Sequence, residues 1–426
     1  MSGTVVDNTV GESGVIAATA AGLTWNATAI TASTVTVESG NGYWINTTSN
    51  TCTITLPSSA EKGDQIVLID YLRTWGTNKI IIDSNGLNYQ GQDDTYTVEY
   101  NTDGQSVNIV YSDATQGWIP LDDDASAYEP TQPPTQQAIF GFGHTGSLTA
   151  ITNLVNSSGV VATDTTGVGT VRKSLAAAGY GGDKAIFGFG EVSPAPYYAS
   201  MTNLVSNSGV VATDVTGVGT PRNTLGAAGY GTDKAIFGYG SGSVVSMTNL
   251  VSNSGVVASD VTGVGTARYA LAATGYGTDK AIFGYGGGGT PYLSMTNLVS
   301  NLGVVATDVS GVGTARLGLA AAGYGTDTAI FGYGTDVTGN SVSMTNLVNN
   351  LGVVAADVTG VGTDRHYLAA AAYGGDKAIF GYGGVAGGSD QSLTNLVSNS
   401  GVVAADVTGV GSARNNLAAA GFSYSA

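Results

Sequence analysis

The chain has 426 residues, 65 of them Gly, with only 14 Lys+Arg against 31 Asp+Glu and a net charge of −17. Phosphate recognition needs clustered Lys and Arg, so this balance argues against nucleic acid as a partner and against an anionic membrane surface. A Gly-rich chain without a Gly-X-Y period is not collagen, and its regular apolar triplets argue against simple disorder. The single cysteine, Cys52, excludes an intrachain disulfide framework. Met1-Ser2-Gly3-Thr4 carries no basic n-region and no long apolar core, so no signal peptide is expected. No apolar run reaches membrane-spanning length, about 18 to 20 residues, so no membrane insertion is expected.

In chain order, residues 1–29 are Gly- and Ala-rich and read as an anchoring arm. Residues 30–121 are strand-rich, with runs at Cys52–Pro57, Gln65–Asp70, Lys79–Asp83, Tyr96–Tyr100 and Val107–Tyr111. All four tryptophans (Trp25, Trp44, Trp75, Trp118) lie in or beside this stretch, which marks it as a separate folding unit. The order Tyr43-Trp-Ile-Asn-Thr-Thr48, Thr53-Ile-Thr-Leu-Pro57, Lys62-Gly-Asp64, Val110-Tyr111 and Gly117-Trp118 resembles a small β-domain that recurs in bacteriophage tail-fibre proteins. The resemblance spans about 80 residues. It implies a virion protein, made in the host cytoplasm and often trimeric in this part. Residues 122–137, with Asp122-Asp-Asp124 and Pro130, Pro133 and Pro134, read as a solvated, semi-extended linker.

From residue 138 to 426 the chain repeats. Ala-Ile-Phe-Gly starts at Ala138, Ala185, Ala235, Ala281, Ala329 and Ala378, and Thr-Asn-Leu at Thr152, Thr202, Thr248, Thr296, Thr345 and Thr394. Each of the first five Thr residues stands 33 positions before the next Ala. All length variation falls between Gly-Tyr-Gly or Gly-Phe-Gly and that Thr, from residues 241–247 in the shortest copy to 191–201 in the longest. One unit, 268–316, reads as four strands: Tyr269–Gly275, Lys280–Tyr285, Met295–Ser300 and Gly303–Val309. Periods of this size suit propeller blades.

The first copy lacks the Arg-x-x-Leu-Ala-Ala strand, and the last runs on into Arg414-Asn-Asn-Leu-Ala-Ala-Ala-Gly-Phe422, which supplies it. That arrangement predicts ring closure and six blades. The pattern resembles kelch repeats over Ala138–Phe422. The apolar strand ending in paired glycines corresponds to Ala-Ile-Phe-Gly-Tyr-Gly, and the arginine after strand four to Arg172, Arg222, Arg268, Arg316, Arg365 and Arg414. Departures are the aromatic residue between the glycines and the absence of the usual Tyr in strand three and Trp in strand four. The resemblance implies that the carboxy-terminal strand closes the ring. The expected fold is all-β: a tail-fibre-type β-domain followed by a six-bladed kelch-like propeller.

In a four-stranded up-and-down sheet the 2–3 and 4–1 connections emerge on the same side. Variation is confined to the 2–3 loop and mostly the two residues after each Arg, so one face of the disk is variable. Tyr197, Tyr198 and Tyr292 in the loops, with Tyr269, His366 and Tyr367 at the adjoining connections, read as a recognition set, because Tyr gives large contact area at low entropic cost. Asp336 and Asp390 in neighbouring loops complete it. Asp164, Asp214, Asp260, Asp308, Asp357 and Asp406, eight positions before each Arg, read as ion pairs or turn caps, not a metal ring. The turn residues Asp183, Asp233, Asp279, Asp327 and Asp376 read the same way. Around His144 and His366, the only histidines, no metal cluster or nucleophile–base pair can be assembled from the sequence. No catalytic, metal or cofactor site is expected.

The expectation is a phage tail-fibre or other virion-surface adhesin. The amino-terminal region docks on other virion proteins, and the variable face meets a host receptor, a cell-surface glycan before a protein. One rival is a spacer or decoration protein that binds only virion proteins. The other is a polysaccharide depolymerase, which needs two carboxylates roughly 5 to 9.5 Å apart, whereas Glu191, Asp336 and Asp390 are scattered over three repeats.

Overall fold

The computed structural model describes residues 23–121, 136–195, 197–289 and 291–422. Two compact units divide between Pro133 and Pro134. Residues 1–22 of the expected arm and 122–135 of the expected linker lie outside the described residues. Every regular element among the described residues is a strand.

In the first unit the strands are β1 (Thr24–Trp25), β2 (Thr34–Thr36), β3 (Asn41–Ile45), β4 (Cys52–Thr55), β5 (Gln65–Asp70), β6 (Ile80–Asp83), β7 (Val98–Tyr100), β8 (Ser106–Tyr111) and β9 (Trp118–Pro120). They form two sheets, ordered β1-β3-β5-β8-β9 and β2-β4-β6-β7. Up to β6 the strands alternate between the sheets and pair in parallel, and the last three pair antiparallel. Alternating residues such as Ile45, Ile54, Ile66, Leu68, Ile80 and Ile109 point into one core with the fully buried Trp75 and Trp118. The Asp70 carboxylate, itself buried, accepts hydrogen bonds from the amides of Thr74, Trp75 and Gly104 and so ties two loops to β5. Trp25, inside the expected arm, stacks on Trp44 at 4.8 Å, and β1 pairs with β3. Burial pushes the Cys52 thiol up to about 11, so it is an inert core residue.

The second unit contains six three-stranded sheets among the described residues. Their second strands carry Ala-Ile-Phe-Gly and their third strands Thr-Asn-Leu-Val. The first strands are Ala176–Tyr180, Gly226–Tyr230, Ala272–Tyr276, Ala320–Tyr324, Ala369–Tyr373 and Ala418–Phe422. Each of the first five pairs with the second strand of its own copy, Ala176–Tyr180 with Lys184–Gly188 for example. The sixth, Ala418–Phe422, pairs instead with Gln137–Gly141 of the first copy. First strands also lie beside one another in sequence order, and Ala418–Phe422 lies beside both Ala369–Tyr373 and Ala176–Tyr180.

The expected fourth strand does not form as a strand. The segment meets the third strand only at two bridges per copy, such as Val299↔Val305 and Thr296↔Val309. Between them the third strand advances three residues and the outer segment four, which is a bulge. A buried Asn fills it: Asn297 Nδ2 donates to the Ala306 carbonyl and to Asp308 Oδ1. The Asn of Thr-Asn-Leu is thus a side-chain substitute for a missing ladder bond.

The same Asn anchors the arginine. Arg172, fully buried, donates through Nη2 to Asn203 Oδ1, through Nε to the Phe189 carbonyl (3.0 Å) and through Nη1 to Asp214 (3.4 Å). Its guanidinium also lies over the Phe142 ring, 4.5 Å from the centroid. Each arginine therefore joins the copy before it to the copy after it. Arg414 does this across the ends of the repeat: it covers Tyr382 and donates to the Phe142 carbonyl and Asn153. The aspartates are partners of the preceding copy's arginine and not of the one eight residues on, as the Arg172–Asp214 and Arg414–Asp164 pairs show.

The aromatic residue between the glycines sits at positive φ in all six copies, for example Phe189 at 62°. That backbone state turns its carbonyl to one arginine and its ring beneath the next. The first glycine is required by approach distance: a Cβ on Gly188 would lie 2.7 Å from Phe237 of the next sheet.

The six aspartates give an acid-stability prediction. Burial opposes their ionisation. Hydrogen bonds outweigh it, for Asp214 from Thr170 and Asn203, and hold the carboxyls below the usual range. A depressed native pKa contributes stability above the unfolded value of about 3.9 and loses it as pH falls through the native value. The melting temperature should be flat from neutral pH down to about pH 4 and then fall.

Candidate functional site

At one end of the second unit, the residue after each Arg, the first loop residue and the returning loop strand build a miniature sheet. Glu191 bridges Lys173 and Tyr198, Gly287 bridges Tyr269 and Tyr292, and Gly384 bridges His366 and Asp390. In the first copy His144 bridges Asn415 and pairs with Leu148. In the fifth, Thr335 pairs with Leu317 and bridges Ser341. Residues directly opposite one another carry side chains on the same face. Tyr269 and Tyr292 therefore stand on either side of a residue without a side chain, and the Tyr269 ring closes over Gly287. The 2–3 loops and the 4–1 connections share this end because they are hydrogen-bonded to each other.

The second residue after each Arg lies further in. Ser174 N–H donates to the Asn416 carbonyl, Thr224 to Ser174, Ala270 to Thr224, Gly318 to Ala270, Tyr367 to Gly318 and Asn416 to Tyr367, all at 2.7 to 2.8 Å. These six bonds form a circuit. All six residues have positive φ, from 48° to 62°, a state that strains every one except Gly and, less, Asn. Beta-branched Thr224, at 49°, is the worst suited. Replacing it with Asn should raise stability by about 1 kcal/mol, read as a higher melting temperature, with the circuit intact.

Inside the circuit is a cavity of about 110 Å³. Its rim is uneven. Ser174, Thr224 and Asn416 make one polar arc, whereas Ala270, Gly318 and Tyr367 make an apolar arc. The Tyr367 ring leans over Gly318, where a Cβ would lie 3.1 Å from it, and meets His366 edge-on with centroids 5.3 Å apart. Burial raises the Tyr367 phenol pKa, and Tyr269 and Tyr292 are near enough to raise it further. Of the expected recognition residues, Tyr367 borders the cavity with His366 against it, and Tyr269 and Tyr292 stand on either side of Gly287.

The polar arc continues outward as a hydrogen-bonded chain. Ser174 Oγ donates to Asn416 Oδ1 (3.0 Å), Asn416 Nδ2 to Asn415 Oδ1 (2.9 Å), and Asn415 Nδ2 to Asp390 Oδ1 (2.8 Å). Asp390 is thereby joined to the site. Asp336 is not: its carboxylate caps its own loop, accepting from Thr338 and Asn340. Tyr197 is 59% exposed at φ 62°, and Tyr198 lies towards Gly242 of the next loop. Both are in the second copy, apart from the Tyr269–Tyr292 pair.

One expectation is corrected. Ser341 Oγ lies 2.8 Å from His366 Nδ1, a hydroxyl–imidazole pair that the sequence had not suggested, formed because the fifth loop folds back beside the next connection. Ser341 is buried and also accepts the Ala386 amide hydrogen, so the pair fastens two loops together. Burial lowers the His366 pKa, with Asp390 opposing, which keeps the imidazole neutral at neutral pH. Sequence reasoning also passed over Asn415, Asn416 and Ser174 as site residues. Their signal was present, since they occupy the variable positions after Arg172 and Arg414.

The opposite end is built from the near-constant turns. Tyr180, Tyr230, Tyr276 and Tyr324 line a cavity of about 710 Å³ with Lys184, Lys234 and Lys280. Each of these lysines pairs with the aspartate before it, as Lys234 does with Asp233 at 3.1 Å. The chain enters the second unit here: the Gln136 carbonyl accepts from Gly374 N–H in one of the turns.

No family model matches the chain, and no curated protein does.

Proposed function

We propose that the second unit is a closed six-bladed kelch-like propeller, and that the protein is a phage virion adhesin, a tail fibre. Its variable end binds a host cell-surface glycan. Closure is supported by the Arg414 contacts, by the pairing of Ala418–Phe422 with Gln137–Gly141, and by the six-bond circuit. The observation that carries the binding role is the uneven rim: Tyr367, with His366 packed against it, faces a polar arc of Asn416, Ser174 and Thr224, and Tyr269 and Tyr292 flank Gly287 at the same end. A sugar ring has one apolar face to stack and hydroxyls to hydrogen-bond, and a preorganised site that offers both suits it.

The amino-terminal unit is assigned to docking on other virion proteins, as a homo-oligomer, by its resemblance to tail-fibre β-domains. The enzyme reading gains little from Ser341 and His366, because Ser341 is buried and its hydroxyl also accepts the Ala386 amide hydrogen. The test is adsorption of the labelled protein to a panel of bacterial strains, with and without the variable-end tyrosines. Adsorption that survives their loss and fails when the constant end is altered places the site at the wrong end. Adsorption indifferent to both favours a spacer.

A further inference from the structure

The charges of the second unit are distributed unevenly between its ends. Its cations are six arginines and the five lysines Lys173, Lys184, Lys234, Lys280 and Lys377. The arginines are at most 1% exposed, each inside the joint between two sheets. Four of the lysines stand at the constant end, each against its own aspartate. That leaves Lys173 at the variable end, and Glu191 holds it at 3.3 Å while also accepting from Asn223 Nδ2 at 3.1 Å. No uncommitted ammonium or guanidinium faces a ligand there among the described residues.

Three acidic groups at this end are engaged: Asp390 accepts from Asn415, Asp336 is capped by its own loop, and Glu191 is paired. Asp364, next to Arg365, is exposed and would repel an anion. The hydrogen-bond donors left beside the cavity are uncharged. Asn416 retains a second amide hydrogen, Ser174 Oγ retains lone pairs, and the phenols of Tyr269, Tyr292 and Tyr367 both donate and accept. A carboxylate, sulfate or phosphate brought here would lose its hydration without meeting a compensating ammonium or guanidinium. The net charge of −17 adds long-range repulsion of anions.

Resting on the glycan-binding reading, we infer that the ligand is a neutral glycan: a polysaccharide segment of uncharged hexoses, without uronic acid, sialic acid or phosphodiester groups. It lies across the rim with an apolar sugar face on Tyr367 and its hydroxyls on Asn416 and Ser174.

The experiment uses the full chain and the strain that adsorbs it. Surface polysaccharide from that strain is separated on an anion exchanger into neutral and acidic fractions, and each is used to compete adsorption. The neutral fraction should inhibit, and binding to it should change by less than about twofold between roughly 0.05 and 0.5 M NaCl, because no ion pair is there to be screened. Tyr367→Ala and Asn416→Ala should each weaken it about tenfold or more, with melting profiles checked for intact folding. Inhibition by the acidic fraction alone, or a steep loss of binding with salt, overturns the neutral class. The glycan reading survives that result if Tyr367→Ala still abolishes binding. Inhibition by neither fraction, with adsorption removed by protease treatment of the cells, overturns both.

Discussion

Deleting residues 414–426 should cost the second unit more stability than any single substitution in it. The deletion removes Arg414, whose guanidinium is fully buried and bonded to Phe142 and Asn153, and leaves Asp164 without its ion-pair partner. It also strips the strand partner from Gln137–Gly141 and breaks the circuit at Asn416. The buried Asn153 Oδ1 and Phe142 carbonyl lose their donor, each at a cost of about 1 to 3 kcal/mol, and the unpaired strand edge and exposed alanines add to that. We expect a melting temperature lowered by ten degrees or more, on the order of several kcal/mol over the stability slope of a domain this size. The amino-terminal unit, with its own core, should melt as before. An unchanged profile would mean that the last strand does not close the array. Arg414→Met, which keeps the strand and removes only the charge, should fall between the truncated and intact chains.

The second large effect is on adsorption. Replacing Tyr197, Tyr198, Tyr292 and Tyr367 together with Ala should reduce binding to the adsorbing strain by at least about a hundredfold, since each lost aromatic contact is worth roughly 1 kcal/mol or more. The fold should tolerate it, because these side chains lie outside the clusters between the sheets. The single variants should separate them. Tyr367→Ala and Tyr292→Ala act on neighbouring tyrosines at the cavity end, whereas Tyr197 stands alone in the second loop. Tyr197→Ala is therefore expected to matter less than either. Substitutions of Asp233 and Asp279 at the constant end should lower stability slightly and leave adsorption unchanged. Equal losses from both ends would indicate unfolding and not recognition.

The sequence by itself determined the sheet content, the position of the second and third strands and the segment that supplies the last first strand. Repetition made this possible: six near-copies average out local ambiguity, and the Gly, Asn and Asp turn residues mark every boundary. It also determined which positions vary, and so where to look for a site. In the first unit β4 to β8 were legible, but not β1, β2, β3 and β9 nor the pairing, because parallel strands alternating between two sheets leave the same hydropathy signal as neighbours in one sheet.

Tertiary structure alone decided what the repeated polar residues do. Asn297 and its equivalents read only as residues of the third strand in sequence, yet each side chain fills a bulge where a fourth strand was expected. An Asp eight residues before an Arg suggested a local pair, and the actual partner is the arginine of the preceding copy, reached only when two sheets pack. The site depended on packing in the same way. Tyr269 and Tyr292 come to the same place because both bridge Gly287, and Asp390 joins Ser174 through two asparagines from the far end of the repeat. Hydrogen bonds between residues hundreds of positions apart, such as Ser174 to Asn416, leave no local trace in a sequence. They form where the last strand, Ala418–Phe422, pairs with Gln137–Gly141 of the first copy.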